Sequence, residues 1–471
     1  MNRADFGVIG LAVMGQNLAL NVEGKAHTVA VYNRTAQRTR EFIAQKAGDK
    51  SLIPTYSLGD FVNRLARPRK ILLMVKAGAP TDAVLDQLFP LLNKGDIVMD
   101  GGNSHFNDTE RRISEAEKQG ILYLGVGISG GEYGALHGPS IMAGGHREGY
   151  EAVKGILERI VAQGPEGPCC AYLGPSSAGH YVKMVHNGIE YAIMETIAEA
   201  YDLLKRGLGM RPVEMAEVFG GWNRGELSSY LFEITVKILR YQDTETGEPL
   251  VERILDTAKQ KGTGKWSTQS ALDIGTPAPT IAMAVFARLL SSLKSERMQA
   301  EDTLPGPDPR FVDVDRDTFI KELFSAVSLT VITAYAQGFR QLQDASKERG
   351  YGLEPSEVAR VWMAGCIIRA KLLVPIRQTF RERSDLPMLF LLEPFLAFLK
   401  EHHVGLRWVI AKAHDHGIPV PIMDSALNFL DGYRTGRLPA NLLQAQRDFF
   451  GAHTYLRTDE EGVFHTDWEK G

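Results

Sequence analysis

The sequence predicts an α/β amino-terminal domain built on a doubly wound parallel sheet, then a large all-helical domain, then an extended carboxyl-terminal tail. Through the first 175 residues short β-branched runs alternate with amphipathic stretches, as strands and helices do in a wound sheet. After Gly174-Pro175 the apolar period becomes that of a helix and stays so. From Gly436 onward the pattern dissolves into a short helix and a polar stretch dotted with aromatics. At 471 residues the chain exceeds the roughly 250–300 that one hydrophobic core usually supports. The expected boundaries are 1–176, 177–435 and 436–471.

Strands are expected at Phe6–Ile9, Thr28–Tyr32, Lys70–Val75, Asp96–Asp100, Leu122–Val126, Ser140–Ala143 and Ala171–Leu173. Several are almost continuously apolar, which suits parallel strands covered on both faces. Helix starts are marked by Pro80, placed as a first helical residue, and by Ser57 with Asp60, which resemble a capping box. In the second domain Val182, Val185, Ile189, Ile193, Ile197, Ala200 and Leu204 recur at helical spacing until Gly207 and Gly209 end the run. That predicts a helix roughly 44 Å long at 1.5 Å per residue. Similar periodicity marks Pro212–Phe219, Ser228–Leu239, Val251–Lys259, Ile281–Leu293, Arg316–Asp344 and Pro355–Lys371. In the tail, Phe449, Phe450, Tyr455, Phe464 and Trp468 are too many aromatics to leave in water, so it is expected to pack on its own body or on a second subunit.

Composition excludes several classes. With 53 basic and 57 acidic residues the net charge is −4, which gives no global reason to expect nucleic acid or an anionic membrane as partner. The longest apolar runs read as core helices too short or too interrupted to span a bilayer, Arg288 breaking Ile281–Leu293 and Glu393 breaking Met388–Leu399. The first expected strand begins so early that no signal peptide is expected. Three cysteines, Cys169, Cys170 and Cys366, cannot make a disulfide framework, and they fit a reducing, cytoplasmic setting.

Directly after the first strand stands Gly10-Leu11-Ala12-Val13-Met14-Gly15, followed by a helical run. This is the dinucleotide fingerprint of a Rossmann-type domain, with Ala12 at its middle position. Gly10 permits the tight turn, Gly15 lets the helix pack closely, and the helix amino terminus faces the pyrophosphate. The second strand decides which dinucleotide. It ends Val31-Tyr32-Asn33-Arg34-Thr35 without the acid that grips a ribose 2′-hydroxyl in NAD enzymes. A carboxylate would repel a 2′-phosphate, whereas Arg34 can fork onto it, so NADP is expected.

On the long helix Lys183, His186, Asn187, Glu190 and Tyr191 fall within about 140° of one another. Such a stripe lines a cleft or faces solvent, and spacing alone does not choose between the two. Two further segments favour the cleft. Asp100-Gly101-Gly102-Asn103-Ser104 and Gly127-Ile128-Ser129-Gly130-Gly131 each follow a strand, at the carboxyl ends where open α/β sheets bind ligands.

Together with Lys261-Gly262-Thr263-Gly264-Lys265-Trp266, and with Arg447 and His453 in the tail, these motifs closely resemble the 6-phosphogluconate dehydrogenase family of the β-hydroxyacid dehydrogenase superfamily. The resemblance covers essentially the whole chain. It implies that residues 10–15, Asn33, Arg34, Thr35, Val75, Lys76 and Ala77 hold NADP and that Asn103 touches both cofactor and substrate. It further implies that Ser129, Gly130, Gly131, His186 and Asn187 orient a sugar acid, 6-phosphogluconate. Tyr191, Lys261, Arg288, Arg447 and His453 would bind its phosphate. A homodimer is implied, each tail reaching into the partner's site.

The implied reaction, a step of the pentose phosphate pathway, is oxidation at carbon 3, loss of carbon dioxide and protonation of the resulting enediol. Lys183 as base must be neutral, which burial or nearby cations would favour. Glu190 as acid must hold a proton near neutral pH, which an apolar pocket would favour. The alternatives are a non-decarboxylating β-hydroxyacid dehydrogenase and a non-catalytic NADP-binding protein. Two motifs mislead. Residues 261–266 mimic a P-loop with the wrong glycine spacing and Trp266 in place of Ser or Thr. His186 with Glu190 has metal-ligand spacing but no further ligands nearby, so no metal is expected.

Overall fold

A computed structural model describes residues 3–260 and 262–470. The strands are β1 (Phe6–Ile9), β2 (Val29–Tyr32), β3 (Leu52–Thr55), β4 (Lys70–Leu73), β5 (Ile97–Asp100), β6 (Leu122–Ser129), β7 (Ser140–Gly145), a small hairpin of β8 (Gln163–Gly164) with β9 (Gly167–Pro168), and β10 (Cys170–Gly174). All but the hairpin form one sheet in the order β10-β7-β6-β5-β4-β1-β2-β3. Both faces are covered. Val8, Leu18 and Met99 sit in one apolar layer, and Ile9, Phe61 and Leu73 in the other.

The sheet corrects the expectation of purely parallel strands. β1 to β6 run parallel, but β7 pairs antiparallel with β6 and parallel with β10, so both strands at that end are reversed. An apolar run buried on two faces reads alike in either direction. β3 was not foreseen. It carries Pro54, and as the last strand of the sheet it has a free edge where a missing N–H costs no ladder bond.

The helix that follows the sheet runs Ala178–Asp202 and ends in a wider π turn, Leu203–Gly207, close to the expected span. It packs against the 34-residue helix Arg316–Arg349, the longest in the chain. By length and composition Arg316–Arg349 could cross a membrane, contrary to the expectation that no run is long enough, but 78% of its most apolar stretch is buried within the protein. Val251–Lys259 is not a helix. Only a 3-10 turn forms, Leu250–Arg253, and Ile254 and Leu255 are exposed. The helix from Pro355 stops at Trp362, well short of Lys371. Met388–Leu399 is a turn, Leu389–Leu391, followed by the start of a separate helix at Phe395. The expected core helix at Ile281–Leu293 forms as Pro279–Ser291, yet only one side is buried. Phe286 is 58% exposed, with Leu289 and Leu290 beside it.

The tail folds on itself. After helix Ala440–Gly451 the chain returns through a bridge between Tyr455 and Phe464. Asp448 is the hub. Its carboxylate accepts from the backbone N–H groups of Thr454 and Thr466 and from Trp468 Nε1, and it pairs with His465. Those bonds hold its pKa down, to about 2, against the opposing pull of burial. Tail atoms shield Asp448 completely, although little other protein surrounds it. Among the described residues, every hydrogen bond and ion pair of residues 440–470 is internal to the tail.

Candidate active site

Connections leave β1 and β4 in opposite directions along the sheet, which opens a crevice at their carboxyl ends. Gly10 stands there at φ +98, and a Cβ on it would lie 2.4 Å from the carbonyl oxygen of Met74. Only glycine fits. The helix Val13–Glu23 then begins at Ala12 with no side-chain cap, leaving its first N–H groups free for an anion. Asn33 braces this turn, its Oδ1 accepting from the N–H of Leu11 at 3.1 Å.

A cavity of about 630 Å³ lies along the crevice, lined by Gly10, Ala12, Asn33, Arg34, Thr35, Val75 and Lys76. The free helix terminus, the glycine that leaves the turn open and the cationic rim fit a dinucleotide phosphate. Leu11 turns its side chain into the core and can offer only backbone, whereas Met14 packs against the same layer with its side chain partly exposed. Val13 is half exposed, and Ala77 and Asn103 lie on the flanking loops outside the cavity lining. Arg38 lines the cavity too, which the sequence reading missed. It lies one helical turn beyond Arg34, so spacing could have revealed it.

The long helix lies directly on β6 and β7 because small residues let backbones touch. A Cβ on Gly179 would come within 2.3 Å of the carbonyl oxygen of Gly125, and one on Gly127 within 2.4 Å of Cβ of Lys183. This contact sets Lys183 beside the carboxyl end of β6. Lys183 Nζ donates to Asn187 Oδ1 at 2.8 Å and lies 3.4 Å from His186 Nδ1. Asn187 Nδ2 donates to Thr263 Oγ1 at 2.9 Å. Ser129 Oγ receives the N–H of Ile367 at 3.4 Å and meets His186 Nε2 at 3.2 Å. One tautomer satisfies the chain. A proton on Nδ1 of a neutral His186 donates to Asn187 Oδ1 at 3.0 Å, and Nε2 accepts from Ser129.

The stripe therefore faces the protein, not solvent. Lys183, His186 and Asn187 are buried, and burial pushes the Lys183 ammonium below its ordinary pKa, opposed by Glu190. Burial, reinforced by the Lys183 charge, pushes His186 well below its ordinary value. Glu190 lies 3.7 Å from His186 Nδ1 with a fifth of its side chain still open, although protein surrounds it densely. Burial raises its pKa, and the Lys183 and Arg288 charges oppose the rise.

At the next residue, the Arg288 guanidinium stacks on the Tyr191 ring at 3.5 Å, and Gly264 packs against the ring's edge. The structure thus brings Ser129, Lys183, His186, Asn187, Glu190, Tyr191 and Arg288 together, with Gly130 and Gly131 on the same turn as Ser129. Lys261 lies outside the described residues. Arg447 and His453 are exposed on the tail, and no described contact joins them to this cluster within one chain. Thr263 and the Ile367 amide were also missed. Thr263 sat inside a recognised motif, whereas a backbone donor about 180 residues downstream of Lys183 leaves no trace in a pattern.

A dinucleotide crevice at the ends of β1 and β4, with a buried lysine and a partly open carboxyl on the helix that lies across β6 and β7, defines a two-domain dehydrogenase architecture. Residues 5–174 match the model for the NAD binding domain of 6-phosphogluconate dehydrogenase, and residues 179–468 that for its C-terminal domain. The chain belongs to the 6-phosphogluconate dehydrogenase family. It is 51% identical over 470 residues, all of both chains, to a Bacillus subtilis 6-phosphogluconate dehydrogenase named as NADP(+)-dependent and decarboxylating. It is 52% identical to a second from that organism named as NAD(+)-dependent, over 98% of this chain and 99% of that one. The solved Plasmodium falciparum 6-phosphogluconate dehydrogenase superposes with a TM-score of 0.95 at 41% identity, over 98% of this chain and all of that one.

Proposed function

We propose that the protein oxidatively decarboxylates 6-phospho-D-gluconate to D-ribulose 5-phosphate and carbon dioxide, reducing NADP, as a pentose phosphate pathway enzyme of the cytoplasm. The carrying observation is the pair on one helix, Lys183 buried and shifted toward neutrality and Glu190 shifted toward protonation, where that helix lies on β6 and meets the carboxyl end of β5. Gly10, Ala12, Arg34, Arg38 and Lys76 would hold the nicotinamide cofactor, which would supply the acceptor for the hydride that leaves carbon 3. Lys183, neutral, takes the proton of the carbon 3 hydroxyl, while Asn187 and the neutral His186 hold its amine in place. The 3-keto acid then loses its carboxyl group. The electrons of that bond pass to carbon 2, and Lys183 returns its proton to the ketone oxygen. Glu190 protonates carbon 2, which becomes carbon 1 of the product, while Lys183, neutral again, takes the proton back from the carbon 3 hydroxyl and leaves carbon 3 a ketone. Ser129 and the turn at Gly130-Gly131 hold the sugar hydroxyls, with Asn103 between sugar and cofactor.

For the phosphate we assign Tyr191, Lys261 and Arg288 from one chain and Arg447 and His453 from the tail of a second. Support for a homodimer comes from apolar side chains that one chain leaves uncovered, Phe286, Leu289 and Leu290 on the body and Leu443, Phe449 and Phe450 on the tail. The preference for NADP rests on Arg34 and Arg38 and on the lack of an acid after β2. Two relatives of near-equal identity carry different cofactor names, so overall similarity does not decide it. The test is one steady-state assay with 6-phosphogluconate and each cofactor, carbon dioxide being trapped. Equimolar reduced NADP and carbon dioxide are expected. Reduction without carbon dioxide would favour the non-decarboxylating reading, and no reduction would defeat both.

A further inference from the structure

Arg112 is wholly buried, yet it belongs to none of the groups assigned above. It stands on the helix Phe106–Glu117, which follows β5. Its guanidinium spends its donors on both loops that flank the crevice. Nη1 donates to Ser104 Oγ at 3.0 Å, on the loop after β5, and to Asp100 Oδ2 at 3.2 Å, at the end of that strand. Nη2 donates to the carbonyl oxygen of Gly78 at 3.2 Å, on the loop after β4. Nε donates to Asp82 Oδ1 at 2.8 Å, in the first turn of the helix that this loop leads into.

The far side of each loop is what the site uses. Val75, Lys76 and Ala77 precede Gly78, and Asn103 precedes Ser104. The loops are pressed together there, since a Cβ on Gly102 would lie 3.0 Å from the carbonyl oxygen of Val75. Asp100 ties its loop from within, accepting from the N–H of Gly102 at 3.0 Å and from Ser104 Oγ at 2.6 Å. The Asp100 carbonyl meets His180 Nε2 at 3.0 Å, one turn before Lys183 on the long helix. One guanidinium thus anchors the β4 loop, the β5 loop and, through Asp100, the strand end that touches the catalytic helix.

We propose that Arg112 is a positioning residue: it fixes the gap between loops 75–78 and 101–104, and so sets where the cofactor's reactive end sits relative to Lys183. This rests on the function proposed above. Planarity is what the role needs. Three nitrogens in a rigid fork reach four partners on both loops and the helix after β4, whereas a lysine ammonium donates from a single point and cannot reach all of those segments. A misplacement of about 1 Å at the reacting atoms can cost roughly a hundredfold in rate.

The experiment compares wild type with Arg112→Lys, with the double variant Asp82→Asn/Ser104→Ala, and with Arg111→Ala as control. Arg111 also pairs with Asp82, but from the exposed side. Turnover, KM for each substrate and direct NADPH binding by nucleotide fluorescence are measured, with circular dichroism to confirm folding. Arg112→Lys is expected to lower kcat at least tenfold and weaken NADPH binding at least fivefold, while KM for 6-phosphogluconate stays within twofold. The double variant should show the same pattern more weakly, and Arg111→Ala should stay within twofold throughout. If Arg112→Lys does not fold, the double variant decides. Overturning results are kcat and NADPH binding within twofold of wild type in the folded variants, or a uniform loss that includes the sugar-acid KM. A wild-type enzyme inactive on 6-phosphogluconate would defeat the proposed function instead, and NADPH binding would still judge Arg112.

Discussion

At the scale of single residues, the chemistry depends on burial opposing charge. Lys183 and Glu190 attract one another, which favours both ions, yet burial pushes each toward its neutral form. The lysine's pKa falls, so its working form is lost as pH drops. The carboxyl's pKa rises, so its working form is lost as pH climbs. A bell-shaped dependence of kcat follows, and Glu190→Gln should abolish one limb of it. Lys183→Met and Glu190→Ala should each cost about 10²–10⁴-fold in turnover, with NADPH fluorescence titrations unchanged. Arg34→Glu should cut kcat/KM for NADP at least tenfold, roughly the value of one charge-assisted bond, and spare NAD. Much of this pair was legible beforehand, since a helix of known period puts residues 183, 186, 187 and 190 on one face. What could not be read was that the face is buried, because an exposed helix carries the same letters. Nor could the guanidinium of Arg112 be foreseen, its partners at 78, 82, 100 and 104 being joined only by the fold.

Among the elements, the long helix serves two ends. Its first half holds the proposed acid and base, and its last turns hold Glu199, a buried side chain that accepts from the N–H groups of Ile422 at 2.6 Å and Met423 at 3.1 Å. Those amides open the helix Pro421–Arg434, which has no side-chain cap of its own. Burial raises the Glu199 pKa well above the carboxylate range, the two N–H donors opposing it. Glu199→Ala would strand two buried donors and should lower unfolding stability by about 2–4 kcal/mol, read as a shifted denaturant midpoint. Strand and helix existence was largely legible because period 2 and period 3.6 differ over a few residues. Direction was not, and hence β7 and β10 came out reversed. Val251–Lys259 misled for a related reason. Its apolar residues keep helical spacing, but Ile254 and Leu255 face outward, and periodicity does not say what covers a face.

For the whole molecule, the tail is folded before it meets anything. Its hub at Asp448 satisfies its polar groups internally, while Leu443, Phe449 and Phe450 stay bare. Removing residues 437–471 should raise KM for 6-phosphogluconate at least tenfold, because Arg447 and His453 leave with the tail, and should leave NADPH binding intact. Under the proposed exchange, an arm that finishes a neighbour's pocket makes each chain both donor and recipient. Mix the tail-less protein, which has a sound base but no arm, with Lys183→Met, which has an arm but no base. At low 6-phosphogluconate each is nearly inactive alone, the first through its raised KM and the second through its missing base, but each hybrid pair contains one pocket with both parts sound. After subunit exchange the mixture should recover about a quarter of full activity, half of the pairs being hybrids with one working pocket in two.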